Sequence, residues 1–458
     1  MTAPSDPKQA RHDFQPLTDT LYKEVWDALR EEDQAGSVVE VLLTLHPSDI
    51  AELIDKLPPE KRELIVPCIP KDVLGEVLSE TSDAAQEGLV EQLANKDLKQ
   101  AFKQLDSDDV VDIVQNMDGE VAEKAIKALS KEEKQLVKYE ENTAGSLMQL
   151  EVYKVPLDWT VGDVMADFQK PHDSLPDHIH SVFITSPDSV LVGSISLSRL
   201  VRLKAKEKLL DVMRQNTYRS LTSEDVDGVI EKFEKYDLID CAVVDEAGRL
   251  VGMITIDDVI DEVEERHEKE QLRSAGLDGS QDVFAPVADI TRQRLPWLIV
   301  NLFTAVLASL VIALFEEQIA TLVALAVLMP IVASMGGNAG TQTLTVTVRA
   351  IGMGQVTWQN AFMLLKKELT VGSFNGLFLA LLLAIGAWLV YGNFMLGVVI
   401  ATATVIVHVL AAIAGYLIPV TLNKLGKDPA VSSGVLLTTI TDVGGFFAFL
   451  GLAAVLLL

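Results

Sequence analysis

Asp442 is the only acid inside any of the chain's long apolar spans, about midway along Pro429 to Leu458. An ionised carboxylate at membrane depth costs about 2.5–3.5 kcal/mol on insertion scales, so something must compensate for it. The apolar runs contain no Lys or Arg, which excludes an ion pair there and leaves His408 as the one titratable candidate partner. Thr438, Thr439 and Thr441 place hydroxyls around the acid, and Gly444-Gly445 admits a second backbone. A protonated, merely hydrogen-bonded Asp442 is the plainer alternative. A carboxylate lining an aqueous cation path accounts for more of these features.

A second polar interruption, Met335-Gly-Gly-Asn-Ala-Gly-Thr-Gln-Thr343, lies inside an otherwise apolar run. A helix broken there would free backbone carbonyls, which suit a hard cation and are tolerated at membrane depth only where they face protein or water. The same residues would also serve as a glycine seam between packed helices. Asn338 and Gln342, spaced i, i+4, favour the ion path.

The elements that must hold these residues follow from charge and length. Leu295 to Phe315 is 21 residues without a charge, Ile319 to Val348 is a second such run, and Leu369 to Asn423 is free of Lys, Arg, Asp and Glu over 55 residues. A span needs roughly 20 residues, so the third run must turn once, at Tyr391-Gly392-Asn393. With Pro429 to Leu458 the total is five spans. Basic residues flank them at Arg292 and Arg294, at Arg349, Lys366 and Lys367, and at Lys424 and Lys427. The positive-inside rule then places the N-terminus in the cytosol and the C-terminus outside the inner membrane. Met1 to Asp6 has no apolar signal-peptide core, which agrees.

From Gln281 onward seven acids balance seven bases, so the formal charge of −28 belongs to the first 280 residues. That charge would repel nucleic acid. Cys68 and Cys241 have no metal-ligand spacing and read as free thiols in a reducing compartment. Up to about residue 140, Ile50, Leu53, Ile54 and Leu57, and later Val110, Ile113, Val114 and Met117, follow the helical i, i+3, i+4, i+7 pattern, with breaks at Pro58-Pro59, Pro67, Pro70 and Asp106-Ser107. Short stacked helices of this kind predict an α-helical superhelical domain. From about 150 to 262 strands alternate with helices, and Val190 to Leu200 aligns with Leu250 to Val259 when Gly193 is set on Gly252. This weak repeat resembles a tandem pair of cystathionine-β-synthase-type (CBS) domains.

Gly336 to Thr343, Lys427-Asp428-Pro-Ala430 and Thr441-Asp-Val-Gly-Gly445 resemble the membrane signature of the MgtE magnesium channels. Leu45 to Leu53 and Tyr139 to Met148 resemble the N-domain of the same family, so the likeness runs along the whole chain in order. It implies a multidomain α and α/β architecture plus membrane, divided as 1–140 helical N-domain, 141–208 and 209–262 CBS domains, 263–294 connecting plug segment and 295–458 five-helix membrane domain. It further implies a homodimer, not an enzyme, in which Asp442 of both subunits, with Asn338 and Asp428, meets hydrated Mg²⁺. By motif position, regulatory Mg²⁺ would lie on Glu76, Asp108 and Asp112 of the N-domain and Asp237, Asp258 and Asp261 of the second CBS domain. Many relatives carry Asn-Pro where Gly434-Val435 stands here. Relatives that bind ATP have an acid where Arg199 stands, which argues against ATP here, although Thr255 and Asp258 keep the second unit's nucleotide-facing positions. The rival readings are a proton-coupled divalent-cation carrier using Asp442 and His408, and a CBS sensor merely anchored in the membrane.

Overall fold

The computed structural model describes residues 14–457 except 31–34, 171–174, 177, 275 and 278–282. The extreme N-terminus and the centre of the 263–294 segment therefore lie outside the described residues. The chain divides into two compact units, residues 1–264 and 265–458.

In the first unit ten described helices, α1 (Asp19–Ala28), α2 (Ala35–Leu42), α3 (Pro47–Asp55), α4 (Pro59–Ile65), α5 (Leu74–Ser79), α6 (Asp83–Gln92), α7 (Asn95–Phe102), α8 (Ser107–Gln115), α9 (Gly119–Ala128) and α10 (Glu133–Leu136), form the N-terminal superhelix. The prolines and Asp106 act as the spacing predicts: Pro59 opens α4, where its missing N–H costs nothing, and Asp106 is the N-cap of α8. Packing runs α3 on α5, α4 on α6, α5 on α7 and α7 on α9, each helix meeting the one two places on. Ile50, Leu53, Ile54, Leu57, Val110, Ile113 and Val114 all join that core.

Two small sheets follow. The first comprises β1 (Lys154–Pro156), α11 (Val161–Phe168), β2 (Ser181–Thr185), β3 (Leu191–Ser196) and α12 (Leu197–Leu200). After a short α13 (Leu209–Val212), the second comprises β4 (Arg219–Leu221), α14 (Val226–Tyr236), β5 (Asp240–Val244), β6 (Leu250–Thr255) and α15 (Ile256–Ser274). Both sheets pair parallel then antiparallel, with Ile184 opposite Gly193 in one and Val243 opposite Gly252 in the other. The aligned glycines are equivalent for a physical reason. A Cβ on Gly193 would stand 2.8 Å from the Arg214 carbonyl, and one on Gly252 would stand 2.7 Å from the Gln149 carbonyl.

Among the described residues of the second unit, five helices are long and apolar enough to cross a membrane: α16 (Val287–Ala313), α18 (Ala324–Gly352), α19 (Ala361–Tyr391), α20 (Phe394–Lys424) and α21 (Pro429–Leu456), with a short α17 (Glu316–Thr321) between the first two. The predicted turn is present. Gly392 takes the left-handed φ of 65°, and the Asn393 side chain accepts from the Met395 and Leu396 amides to start α20. Helices α18, α19 and α21 all pack on α20, which is the most buried of the five.

Candidate ion path and carboxylate cluster

The glycine-rich segment does not break its helix. α18 is continuous from Ala324 to Gly352, so the expected free carbonyls at 335–343 are absent. The glycines instead form the seam. A Cβ on Gly336 would reach within 2.1 Å of Val407, one on Gly340 within 2.8 Å of Leu437, and one on Gly415 of α20 within 2.7 Å of the Gly340 carbonyl. Small residues there let α18, α20 and α21 approach closely and gain dispersion contacts, while the unbroken α18 keeps its own hydrogen bonds.

The other face of α18 is polar. Ser334, Asn338, Thr341, Gln342 and Thr345 are exposed, and among the described residues the Asn338 and Gln342 amides make no hydrogen bond. α18 and α21 cross where Gly336 meets Thr441, so Asn338 and Asp442 stand within about one turn of that crossing. Asp442 is half-buried, and among the described residues nothing pairs with its carboxylate.

The expected helpers of Asp442 are engaged elsewhere. Thr438 donates to the Gly434 carbonyl, Thr439 to Val435, and Thr441 to Leu437 and Thr438, each back along its own helix. His408 is 1% exposed, with Nδ1 2.8 Å from the Thr404 carbonyl and its Cβ against Gly376 of α19. Among the described residues no hydrogen bond joins it to Asp442. Asp442 is also not the sole acid in these helices, because α19 begins at Ala361 and includes Glu368, whose Oε2 accepts from Thr343 at 3.3 Å. Glu368 sits one residue outside the charge-free run and so escapes a search by runs. Asp428 is exposed between α20 and α21, 3.6 Å from Arg273.

The residues that the resemblance implies as cytosolic ligands have their own setting in the first unit. Val111 of α8 is buried in the core of the second sheet with Phe233, Val243 and Ile254. The start of α8 is pinned there too: Ser107 donates to Glu151 at 2.7 Å and accepts from the Leu150 amide at 2.7 Å. This packing carries the acids of α8 to the N-terminus of α15. Asp108 is buried, and desolvation first, then the charge of Asp258, holds its carboxyl well above the usual range. Asp109 is pushed up to about 7 by desolvation, Asp258, Asp106, Asp112 and Glu80. Asp258 is pushed up to about 6, mainly by desolvation. Asp261 is raised by desolvation and then by Glu80.

Glu80, Asp106, Asp109 and Asp257 thus join the cluster, although nothing in the sequence separates them from the solvated acids around them. Of the residues implied by motif, Asp108, Asp258 and Asp261 come together, with exposed Asp112 adding charge at its edge. Glu76 is half-buried on α5, one turn before Glu80. Asp237 caps α14 with a left-handed φ of 50° and lines a different cleft, of about 230 Å³, with Arg199, Arg214, Tyr218 and Tyr236. That cleft sets two arginines beside Asp237 and Asp240.

Thr255 and one carboxylate oxygen of Asp258 are hydrogen-bonded to each other. Thr255 Oγ1 donates to Asp258 Oδ2, and the Thr255 amide donates to the same oxygen at 3.1 Å, capping α15. Among the described residues no three acids, histidines or cysteines already converge in metal-holding geometry. What is present is concentrated negative charge, which suits a cation held through its water shell. Mg²⁺ keeps several waters and takes only one or two carboxylates directly.

Residues 329–452 match the MgtE family model, a divalent cation transporter; residues 45–141 match the MgtE intracellular N domain, and residues 209–265 match a CBS domain. The magnesium transporter MgtE of Thermus thermophilus is 30% identical over 96% of this chain and 99% of its own length. The magnesium transporter MgtE of Bacillus subtilis is 29% identical over 90% and 92%. A solved structure, the cytosolic domain of the Mg²⁺ channel MgtE in complex with ATP, is 29% identical with a TM-score of 0.48, over 53% of this chain and 99% of that one.

Proposed function

The chain belongs to the MgtE family of magnesium transporters, and on that premise we propose that it is a homodimeric Mg²⁺ channel closed by Mg²⁺ binding to its own acidic domain. The observation that carries the conducting role is Asp442, a half-exposed carboxylate in a membrane helix with no partner among the described residues. With a second copy, two such carboxylates and the Asn338 faces attract a hydrated divalent cation without stripping it. Asp428, paired with Arg273 at the helix ends, belongs to the entrance rather than to the depth of the path. Arg292, Arg294, Arg349, Lys366, Lys367, Lys424 and Lys427 favour an N-terminus in the cytosol and a C-terminus outside.

The carboxylate cluster supplies the closing force. Ionised Asp108, Asp109, Asp258 and Asp261 repel one another across the join of α8 and α15. Mg²⁺ arriving there replaces repulsion with attraction and draws the N-domain onto the second CBS domain. α15 starts at this cluster and runs on to Ser274, so the change is delivered toward the membrane helices. Falling Mg²⁺ reverses it, which is negative feedback. The proposed gate uses Mg²⁺ alone.

The carrier reading gains no support, because His408 is buried with Nδ1 near the Thr404 carbonyl of its own helix and, among the described residues, no hydrogen bond joins it to Asp442. Mg²⁺ flux into liposomes, with voltage and pH gradients imposed separately, distinguishes the two. Flux that follows voltage and ignores the pH gradient fits a channel; flux that requires the pH gradient sinks it.

A further inference from the structure

The turn between α18 and α19 is built to hold one aromatic side chain outward. Gly354 takes φ +63°, and Asn360 accepts from the Thr357 amide at 2.8 Å while donating to the Gln355 carbonyl at 2.7 Å. The Tyr416 hydroxyl donates to the Ala361 carbonyl at 2.8 Å, fixing the start of α19 against α20. This pinned turn presents Trp358 at 81% exposure.

Two ammonium groups sit on aromatic faces at this corner. Lys424 Nζ lies 4.5 Å from the centre of the Trp358 ring, and Lys366 Nζ lies 4.7 Å from that of Phe362. Among the described residues neither lysine makes an ion pair, while Glu368 accepts from Thr343 and Asp428 pairs with Arg273. A ring face leaves most of the three N–H donors of an exposed ammonium open to a further acceptor. Met363 and Leu425 are exposed beside the two rings, which gives the corner an apolar collar as well as a positive centre.

We propose that this corner binds the headgroup of an anionic phospholipid, with its phosphate at Lys424 and Lys366 and its glycerol and upper acyl chains against Trp358 and Phe362. The combination fits a lipid better than a soluble anion, because a free phosphate gains nothing from the apolar collar. It also fits a lipid better than the chain's own acidic residues, whose hydrophilic surface would bury exposed Trp and Phe unprofitably. Indole and phenyl rings with flanking lysines are at their most favourable where acyl chain gives way to headgroup.

The test is native mass spectrometry of the full-length protein in detergent, counting phosphatidylglycerol retained against phosphatidylcholine. The wild type retains phosphatidylglycerol preferentially. Lys424→Gln and Lys366→Gln each lower that retention on the order of fivefold, whereas Trp358→Phe keeps more of it than Trp358→Ala. Millimolar inorganic phosphate does not displace the lipid. Equal retention of the two lipids, indifference to the lysine substitutions, or displacement by inorganic phosphate would overturn the proposal. So would lysine variants that lose Mg²⁺-dependent protease protection but keep their lipid, since the corner would then dock the acidic domain. Arg292→Gln, outside the corner, controls for any general loss of charge.

Discussion

The buried carboxylate of Asp108 on α8 lies close enough to Asp258 at the head of α15 for the second charge to oppose ionisation of the first, with no basic residue among the groups that shift either. Two like charges held together at the join of two domains store repulsion that only protons or cations relieve.

Protons should therefore stabilise the Mg²⁺-free protein. Asp109 near 7 and Asp258 near 6 are raised above the usual 3.8, so the folded state binds protons that the unfolded chain releases. The resulting penalty is absent below about pH 4, grows as pH rises, and is complete above about pH 7. Urea unfolding of the first unit within the full-length protein, in EDTA, should show stability rising by a few kcal/mol from pH 8 to pH 5, because each tenfold gain in proton affinity on folding is worth about 1.4 kcal/mol. Asp109→Asn should flatten the slope, and Mg²⁺ should flatten it by competing with protons. A wild-type slope unchanged by either would place the charge elsewhere.

Asp442→Ala should abolish Mg²⁺ transport while leaving the protein folded, because the path loses its charge. Asp442→Asn should retain little transport, since an amide can hydrogen-bond to the hydration shell but does not attract the ion. Flux per folded protein, checked by gel filtration, decides it, and wild-type-like flux in either variant would remove Asp442 from the path.

His408→Ala should leave flux and its pH dependence largely intact. The cost should fall on stability instead, about 1–3 kcal/mol for a buried ring lost beside Gly376. Loss of flux together with its pH dependence, at unchanged melting temperature, would favour the carrier.

The seam makes a sharp comparison among glycines. Gly415→Ala sets a methyl against the Gly340 backbone and should destabilise the detergent-solubilised protein by about 1–3 kcal/mol. Gly337→Ala meets nothing within 4 Å and should be near neutral. Equal melting temperatures would contradict the close approach of α18 and α20.

Much of this architecture is readable from local pattern. Charge-free runs set the five spans, Gly392 and Asn393 mark the one turn hidden in a 55-residue run, and Gly193 on Gly252 exposes the repeated sheets. What escapes is decided by partners distant in sequence. Gly336 and Gly340 carry the same signal for a broken helix as for a packed one, and only Val407 and Leu437 settle it. The i, i+4 pair Asp108 and Asp112 reads as one metal-binding face. Burial of Val111 in the second sheet instead turns Asp108 and Asp109 inward and leaves Asp112 outside. Thr255 and Asp258 look like ligand contacts, and the capping of α15 engages the Thr255 hydroxyl and one of the two Asp258 carboxylate oxygens.

If Mg²⁺ at the Asp108 and Asp258 cluster closes the path that Asp442 lines, flux through the full-length protein in liposomes must depend on Mg²⁺ at the cytosolic side. The decisive comparison raises that Mg²⁺ for the wild type and for Asp108→Ala/Asp261→Ala. Wild-type flux should fall with rising Mg²⁺, while the double variant stays conductive at concentrations that shut the wild type. The same Mg²⁺ dependence in both proteins would contradict gating by this cluster.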